Sequence, residues 1–250
     1  MPRGGSRGRR DGRDGRGGRR PPGREARQLK ERLRTARGRS VSSTRWLERQ
    51  INDPYVAEAR RLGYRSRAAF KLAEIDDRFG FLKPGGTVVD LGAVPGGWSQ
   101  VAAERVEAAG GKGRVIAVDL QDMEPVAGVT IVHGDFLDEA TVERVWAALG
   151  GRKAEVVLSD MAAPATGHAQ TDHLRIMALC EAALEFAREI LAPGGVFLAK
   201  VLQGGTVGDL LAVMKRDFRE VRHVKPKASR ADSAELYVLA TGFRGTSDPE

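Results

Sequence analysis

The sequence predicts an α/β fold with a seven-stranded, mainly parallel sheet and helices on both faces. Short runs of apolar and β-branched residues alternate with helix-like segments through residues 87–241, and this alternation is typical of successive strand–helix–strand units. The first run is apolar without polar alternation, as expected for a strand buried on both faces. Glycine or aspartate follows several strands, which places ligand-binding groups together at the carboxyl edge of the sheet.

Three helices are predicted before the first strand. Serine and threonine at positions 42–44 can cap the first helix, and Pro54 begins a second helix that Gly63 closes. A third helix has apolar residues at core spacing over residues 70–79. Lys71 lies between two of these core positions, where a lysine is by default a surface residue whose stem packs on the core.

The first strand, Thr87–Leu91, leads into a glycine-bearing turn and a helix. Gly92 ends the strand, and Gly96 and Gly97 let the backbone approach a ligand without an intervening Cβ. Val94 stands where a dinucleotide-binding G-x-G-x-x-G loop has its second glycine, so this loop disfavours a pyrophosphate. The loop suits an adenosyl group without phosphates, and S-adenosylmethionine is the ligand that it implies.

The later elements alternate along the chain. The remaining strands are predicted at Arg114–Asp119, Val129–Val132, Glu155–Asp160, Gly195–Leu202, Arg219–Val224 and Glu235–Ala240. The helices between them are predicted at residues 101–109, around residues 142–149, at residues 171–191 and at residues 207–218. The Pro-Gly-Gly sequence at residues 193–195 is expected to end the helix at residues 171–191.

Two aspartates are candidate contacts for the adenosyl group. Asp119 ends the second strand 27 residues beyond Gly92, where a carboxylate can accept both hydroxyls of a ribose; the alternative is an ordinary turn aspartate. Asp135 follows the third strand and either accepts from an adenine amino group or caps the next helix.

Charges also occur within apolar strands. Asp160 ends the fourth strand, at the edge that faces a ligand crevice in this architecture. Lys200 is the charged residue in an otherwise apolar fifth strand. Because a buried charge is costly unless it is paired, Lys200 is predicted to be functional.

Basic charge is concentrated in the first 50 residues, which hold 17 Lys and Arg against 5 Asp and Glu, whereas the rest hold 24 against 28. Residues 1–24 are mostly Arg, Gly, Asp and Pro, which predicts a disordered tail. This tail is either an arm that contacts RNA phosphates and bases or a solvated segment without a specific role. Two further basic groups are candidate RNA contacts, with a solvated face for the first and a flexible exposed turn for the second as the simpler alternatives. These are the cluster Arg60, Arg61, Arg65 and Arg67 and the loop at residues 225–230.

The composition predicts a cytoplasmic protein. Cys180 is the lone cysteine, which excludes an internal disulfide, and no apolar run is long enough to span a bilayer. Four histidines with one cysteine form no metal-ligand pattern, so no metal is expected.

Six collinear stretches over residues 43–243 together resemble the FtsJ-type (RrmJ/RlmE) ribosomal RNA 2′-O-ribose methyltransferases. They are Ser43 to Leu47, Arg65 to Leu72, Asp90 to Gln100, Ser159 to Ala162, Lys200 to Gly204, and Ser233 to Tyr237. The resemblance implies a Rossmann-like class I fold dependent on S-adenosylmethionine. It also implies methylation of a uridine in the A-loop of large-subunit (23S) rRNA, on an assembled 50S subunit. The protein is expected to be a monomer.

The resemblance also implies specific site residues. The catalytic tetrad maps onto Lys71, Asp160, Lys200 and Glu235, with Lys200 as the proton acceptor. The cofactor contacts map onto Gly96, Trp98, Asp119, Asp135 and Asp160. One departure is Ala163-Pro164-Ala165, where the family often has Pro-Asn after Asp-Met-Ala.

The predicted organisation is a tail at residues 1–40, a methyltransferase domain at residues 41–243 and a short disordered C-terminus at residues 244–250. Two alternatives remain open: a same-fold methyltransferase acting on tRNA or an mRNA cap, and a noncatalytic RNA-binding ribosome assembly factor. The presence of all four tetrad residue types counts against the second, and an aromatic content of 6% counts against a cap-binding pocket.

Overall fold

The computed structural model describes residues 41–163, 166–203 and 207–245. The predicted tail, the Pro164-Ala165 departure and residues 246–250 lie outside this part of the chain. Two compact units divide at Asn52 and Asp53, and helix α1, Val41–Ile51, is the described element of the first. Across the described residues, no helix combines the length and apolarity that crossing a bilayer requires.

The second unit contains six α-helices, one short 3₁₀ helix (Ala108–Gly110) and seven strands among the described residues. The helices are α2 (Pro54–Leu62), α3 (Ala69–Phe79), α4 (Gly97–Arg105), α5 (Glu139–Leu149), α6 (Ala169–Ile190) and α7 (Val207–Asp217). The strands are β1 (Thr87–Leu91), β2 (Arg114–Asp119), β3 (Val129–His133), β4 (Ala154–Ser159), β5 (Leu191–Leu202), β6 (Phe218–Val224) and β7 (Glu235–Phe243).

The strands form one sheet in the order β3-β2-β1-β4-β5-β7-β6. The strands β1 to β5 pair in parallel, whereas β7 is antiparallel to both of its neighbours, β5 and β6. The chain runs outward from β1 to β3 and then returns to the other side of β1. A crevice opens where the order reverses, beyond the carboxyl ends of β1 and β4, and ligands bind there in such sheets.

Apolar side chains cover both faces of the sheet. On one face, Val89 and Leu91 of β1 join residues of α5, α6 and α7 in a core cluster. Val88, which immediately precedes Val89, points to the opposite face and packs with α3 and α4, because successive side chains of a strand alternate. The predicted seven-stranded, mainly parallel sheet with helices on both faces is confirmed.

Two predicted boundaries are wrong by four residues. Helix α4 ends at Arg105, four residues early, because Glu107 adopts a left-handed conformation with φ of 59°. Strand β5 begins at Leu191, before the Pro-Gly-Gly sequence that was expected to separate helix from strand. The pairing with β4 jumps from Ala154–Leu191 to Val156–Val196, so the proline and glycines occupy an irregular step that needs no ladder hydrogen bonds.

A buried carboxylate begins α2. Asp53 accepts from the backbone amide of Tyr55 at 3.1 Å, which caps the helix. The same side chain pairs with Arg67 at 2.7 Å and with Arg230 at 3.4 Å, and its exposed fraction is only 8%. Asp53 therefore joins α2 to the segment before α3 and to the loop between β6 and β7.

We predict that Asp53→Ala lowers the free energy of unfolding by about 3–5 kcal/mol, since it removes a helix cap and the carboxylate partner of the largely buried Arg67. Asp77→Ala is the matched control, because Asp77 also pairs with an arginine but is 62% exposed. Its cost is expected to be below about 1 kcal/mol. Urea unfolding measures both variants, and equal losses would contradict the prediction.

Candidate active site and cofactor cleft

A cleft of about 750 Å³ lies at the carboxyl ends of β1, β2 and β4, within the usual size range of small-ligand sites. Its polar groups come from the ends of the strands, and its apolar wall comes from the segment after β3 and from α6. Lining residues include Gly92, Asp119, Asp135, Phe136, Asp160 and Met161. The crevice predicted from the strand order is thus present.

Glycines bring the walls of this cleft close together. Gly92 has φ of +72°, and a Cβ at this position would lie 2.4 Å from Cγ of Met161. Gly96, with φ of 105°, immediately precedes α4. A Cβ on Gly97 would lie 2.4 Å from Oγ of Ser66, so larger residues at Gly92 or Gly97 would push neighbouring segments apart.

The Asp119 carboxylate bridges two segments of the cleft. One oxygen accepts from the amide of Val94 at 2.8 Å, and the other accepts from the amide of Gln121 at 2.9 Å. Each carboxylate oxygen can accept more than one hydrogen bond, so both retain capacity for ligand hydroxyls. Asp119 is held at the cleft wall by backbone contacts on both sides.

Asp135 and Trp98 occupy different environments. Asp135 lines the cleft and accepts from the amide of Leu137 at 3.0 Å. The N-cap residue of α5 is Asp138, so the alternative that Asp135 caps this helix is wrong. Trp98 is 3% exposed, donates from Nε1 to the carbonyl oxygen of Ala68 at 2.9 Å and packs in the core, so any contact with a cleft ligand must use its backbone.

The four tetrad candidates lie together, although they come from α3, β5, β7 and the residue after β4. Lys71 donates to Glu235 at 2.8 Å. Lys200 lies 2.9 Å from Oδ1 of Asp160 and 3.9 Å from Glu235, and it also donates to the carbonyl oxygen of Asp160 at 2.8 Å. Two ammonium and two carboxylate groups, each 10–16% exposed, thus compensate one another's charge.

Tyr237 closes this network, and the sequence reasoning assigned it no role. Its hydroxyl donates to Asp160 at 2.7 Å and accepts from Lys71 at 3.1 Å. Burial, together with the charges of Asp160 and Glu235, raises the pKa of Tyr237 well above its usual value. The signal was available, because residues two apart on a strand point to the same side and Tyr237 follows Glu235 at that spacing.

The pKa of Glu235 is lowered. Burial by itself raises this pKa, but the positive charges of Lys71 and Lys200 and the hydrogen bonds from Lys71 and Ser229 outweigh burial. The carboxyl group therefore stays ionised at neutral pH, which keeps it a hydrogen-bond acceptor for Lys71.

Asp90 is a buried acid in β1. It is 1% exposed, its Oδ2 accepts from the hydroxyl of Ser99 at 2.6 Å, and its Oδ1 has no hydrogen-bond partner among the described residues. Burial and the charges of Asp160 and Asp119 raise its pKa to about 7, against the opposing hydrogen bond from Ser99.

The basic cluster before the cofactor loop is largely occupied by protein contacts. Arg65 donates to the carbonyl oxygens of Pro95 and Glu124 at 3.3 and 2.6 Å, and Arg67 pairs with Asp53. Arg61 pairs with Glu58 at 2.6 Å. Arg65 and Arg67 thus hold neighbouring segments of the protein together, and an RNA contact of this cluster stays a prediction.

A mainly parallel sheet with its antiparallel strand next to β5, and with a cleft at the strand switch, defines the Rossmann-like methyltransferase fold. Residues 64–243 match the family described as FtsJ-like methyltransferase. The chain belongs to this family, whose methyl donor is S-adenosylmethionine. The cleft fits this cofactor, since it combines a carboxylate with spare acceptor capacity, an apolar wall and closely approaching glycine backbone.

Named relatives are similar over most of their length. A ribosomal RNA large subunit methyltransferase E from Parvibaculum lavamentivorans is 65% identical over 230 residues, covering 89% of this chain and 90% of the relative. The protein of the same name from Azorhizobium caulinodans is 60% identical, covering 91% and 95%. A crystal structure from Plasmodium falciparum, provisionally described as a ribosomal RNA methyltransferase, has a TM-score of 0.66 at 30% identity and covers 73% of this chain and 100% of that chain.

The raised pKa of Asp90 predicts a pH-dependent stability. Between its ordinary value of 3.8 and about 7, the folded protein holds a proton that the unfolded chain has lost. The free energy of unfolding therefore falls with rising pH, by up to about 1.4 kcal/mol per pH unit. Asp90→Asn lacks this titration, so wild type should lose stability relative to the variant from pH 4 to 7. Urea unfolding at several pH values measures the difference, and parallel curves would contradict the prediction.

Proposed function

We propose that this protein transfers a methyl group from S-adenosylmethionine to the ribose 2′-oxygen of a uridine in the A-loop of large-subunit rRNA, acting on the assembled 50S subunit. The observation that carries this proposal is the paired network of Lys71, Asp160, Lys200 and Glu235 at the edge of the cofactor cleft. The names of the relatives support the choice of RNA. The network is complete within one chain, which supports activity as a monomer.

Asp160 connects the two halves of the proposed site. It lines the cofactor cleft, and it is also bonded to Lys200 and Tyr237. We propose that Asp119 binds the cofactor ribose, that Asp135 binds the adenine amino group, and that the backbone at Gly96 and Trp98 contributes contacts at the start of α4. The two aspartates are assigned because their carboxylates line the cleft. Gly96 and Trp98 are assigned because their backbone lies in the loop that begins α4.

When bound, the cofactor supplies an electrophilic methyl group. The attacking 2′-oxygen must be held in place and must lose its proton during the transfer. We propose that Lys200 takes this proton after releasing one of its own to solvent, because the ammonium form paired with Asp160 has no lone pair. Lys71, Asp160 and Glu235 hold Lys200 and the ribose in position, because their mutual hydrogen bonds and charges fix each side chain.

The proposed activity is assigned to a domain at residues 41–243, in the cytoplasm. The basic residues 1–40 are proposed to add salt-dependent RNA affinity, since neutralising phosphates releases counterions. The network of four charged residues argues against a noncatalytic assembly factor, because burying charge without a catalytic use is costly.

Ribose-methylation mapping tests the proposed function. In cells that lack the protein, a single A-loop uridine in large-subunit rRNA should lose its 2′-O-methyl group, and a plasmid copy should restore it. Purified protein should methylate isolated 50S subunits in preference to naked rRNA. Loss of methylation from tRNA or mRNA caps, with the rRNA pattern intact, would reject the proposed substrate.

We predict that Asp119→Ala weakens binding of S-adenosylmethionine about ten- to a hundredfold, because hydrogen bonds to a charged acceptor are worth about 1.5–3 kcal/mol. NAD should not bind, since Val94 disfavours a pyrophosphate on this loop. Calorimetry measures both ligands. Asp122→Ala is the matched control, because Asp122 is exposed and does not line the cleft. Unchanged affinity in Asp119→Ala would reject the role of Asp119 in cofactor binding.

The proton-acceptor role predicts that Lys200→Ala loses nearly all turnover while keeping cofactor affinity near wild type. Lys200→Arg should also be inactive, because a guanidinium remains protonated. The wild-type single-turnover rate should rise with pH to a plateau. Substantial methylation by Lys200→Arg would mean that position 200 acts through its charge and that the proton leaves to water.

A further inference from the structure

We infer that Ser229 is a positioning residue, whose hydroxyl holds the Glu235 carboxylate in the orientation in which it binds Lys71. This inference rests on the proposed function, since it concerns the same network. Ser229 lies in the loop between β6 and β7, and nothing in the sequence reasoning gave it a role beyond membership in a basic loop.

The contacts of the Glu235 carboxylate give Ser229 a defined task. Oε1 accepts from the Ser229 hydroxyl at 2.8 Å, while Lys71 lies 2.8 Å from both carboxylate oxygens. Lys200 approaches Oε2 only to 3.9 Å. Lys71 alone is a cation on a flexible stem, and the directional bond from Ser229 fixes the rotation of the carboxylate.

The loop holds Ser229 firmly enough to do this. The neighbouring Ala228 donates from its amide to Glu74 of α3 at 3.2 Å, and its carbonyl oxygen accepts from Arg67. Ser229 is 7% exposed, and its amide donates to the carbonyl oxygen of Pro226 at 3.0 Å. Glu74 and Lys71 belong to the same helix, so Ser229 and Lys71 approach Glu235 from a common support.

A second serine in the loop distinguishes positioning from mere loop stability. The hydroxyl of Ser233 accepts from the backbone amide of Glu235 at 3.1 Å and does not bond its carboxylate. Ser233→Ala therefore removes a hydroxyl from the same loop without touching the charged group. If the hydroxyls only stabilise the loop, both serine variants should show the same defect. If Ser229 positions the Glu235 carboxylate, only the Ser229 variants should change the properties of that carboxylate.

Loss of the Ser229 hydroxyl also changes the titration of Glu235. The groups that face this carboxylate are Lys71 from α3, Lys200 from β5, Tyr237 from β7 and Ser229 from the loop. Removing a donor destabilises the ionised form, so the pKa of Glu235 should rise. A higher pKa of Glu235 in the variant is therefore the direct signature of the lost hydrogen bond.

The experiment compares wild type, Ser229→Ala, Ser229→Cys and Ser233→Ala as full-length proteins on isolated 50S subunits. We expect Ser229→Ala to lower the single-turnover rate about tenfold and to raise the pKa of Glu235 by about half to one pH unit, consistent with one hydrogen bond to a charged group. The rate of Ser229→Cys should lie between those of wild type and Ser229→Ala, because a thiol is a weaker hydrogen-bond donor than a hydroxyl. Cofactor affinity should stay near wild type, and Ser233→Ala should leave the pKa of Glu235 in place.

Carbon-13 NMR titration of the Glu235 carboxyl group tests the inference without using activity. A raised pKa in Ser229→Ala, and not in Ser233→Ala, is the expected result. An unchanged pKa, or equal shifts in both variants, would overturn the inference. If wild type leaves 50S subunits unmethylated, the proposed function fails on its own, and the NMR comparison still decides whether Ser229 positions Glu235.

Discussion

The pairing of buried charges at the carboxyl edge of the sheet is the constraint on which the site depends. Lys200 lies in β5 between apolar neighbours, where an unpaired ammonium would be costly. Asp160, at the end of the adjacent strand β4, compensates it at 2.9 Å. The same carboxylate lines the cofactor cleft. One ion pair thus stabilises the sheet edge and joins the cleft to the other charged side chains.

The surrounding structure holds that pair from several directions. Tyr237 bonds both Asp160 and Lys71, so the β7 strand and helix α3 are tied to the end of β4. The loop between β6 and β7 is anchored in turn on α3 through Glu74 and on Asp53 through Arg230. Contacts remote from the cleft therefore restrict the orientation of Glu235, which explains why the proposed positioning role falls to a loop serine.

Local sequence patterns identify a functional residue when its near neighbours in the chain set it apart. They do not identify residues whose role depends on contacts with distant segments. Lys200 could be selected because its strand is otherwise apolar. Lys71 could not be selected in this way, because its spacing in the helix is that of an ordinary surface lysine and its partners Glu235 and Tyr237 are distant in sequence. Only the family resemblance indicated that Lys71 is catalytic. The contacts of Arg65 and Arg67 with the carbonyl oxygens of Glu124 and Ala228 could not be found either, because those partners lie 59 and 161 positions away.

The sequence by itself determined the alternation of strands and helices, the glycine-bearing cofactor loop and the aspartates that end its neighbouring strands. These features depend on side-chain periodicity and backbone freedom over a few residues. The tertiary structure alone decided the core position of Trp98, the closing role of Tyr237 and the contact of Ser229 with Glu235. Such contacts depend on strand order and on the anchoring of loops by residues more than a hundred positions away, which local sequence patterns do not encode.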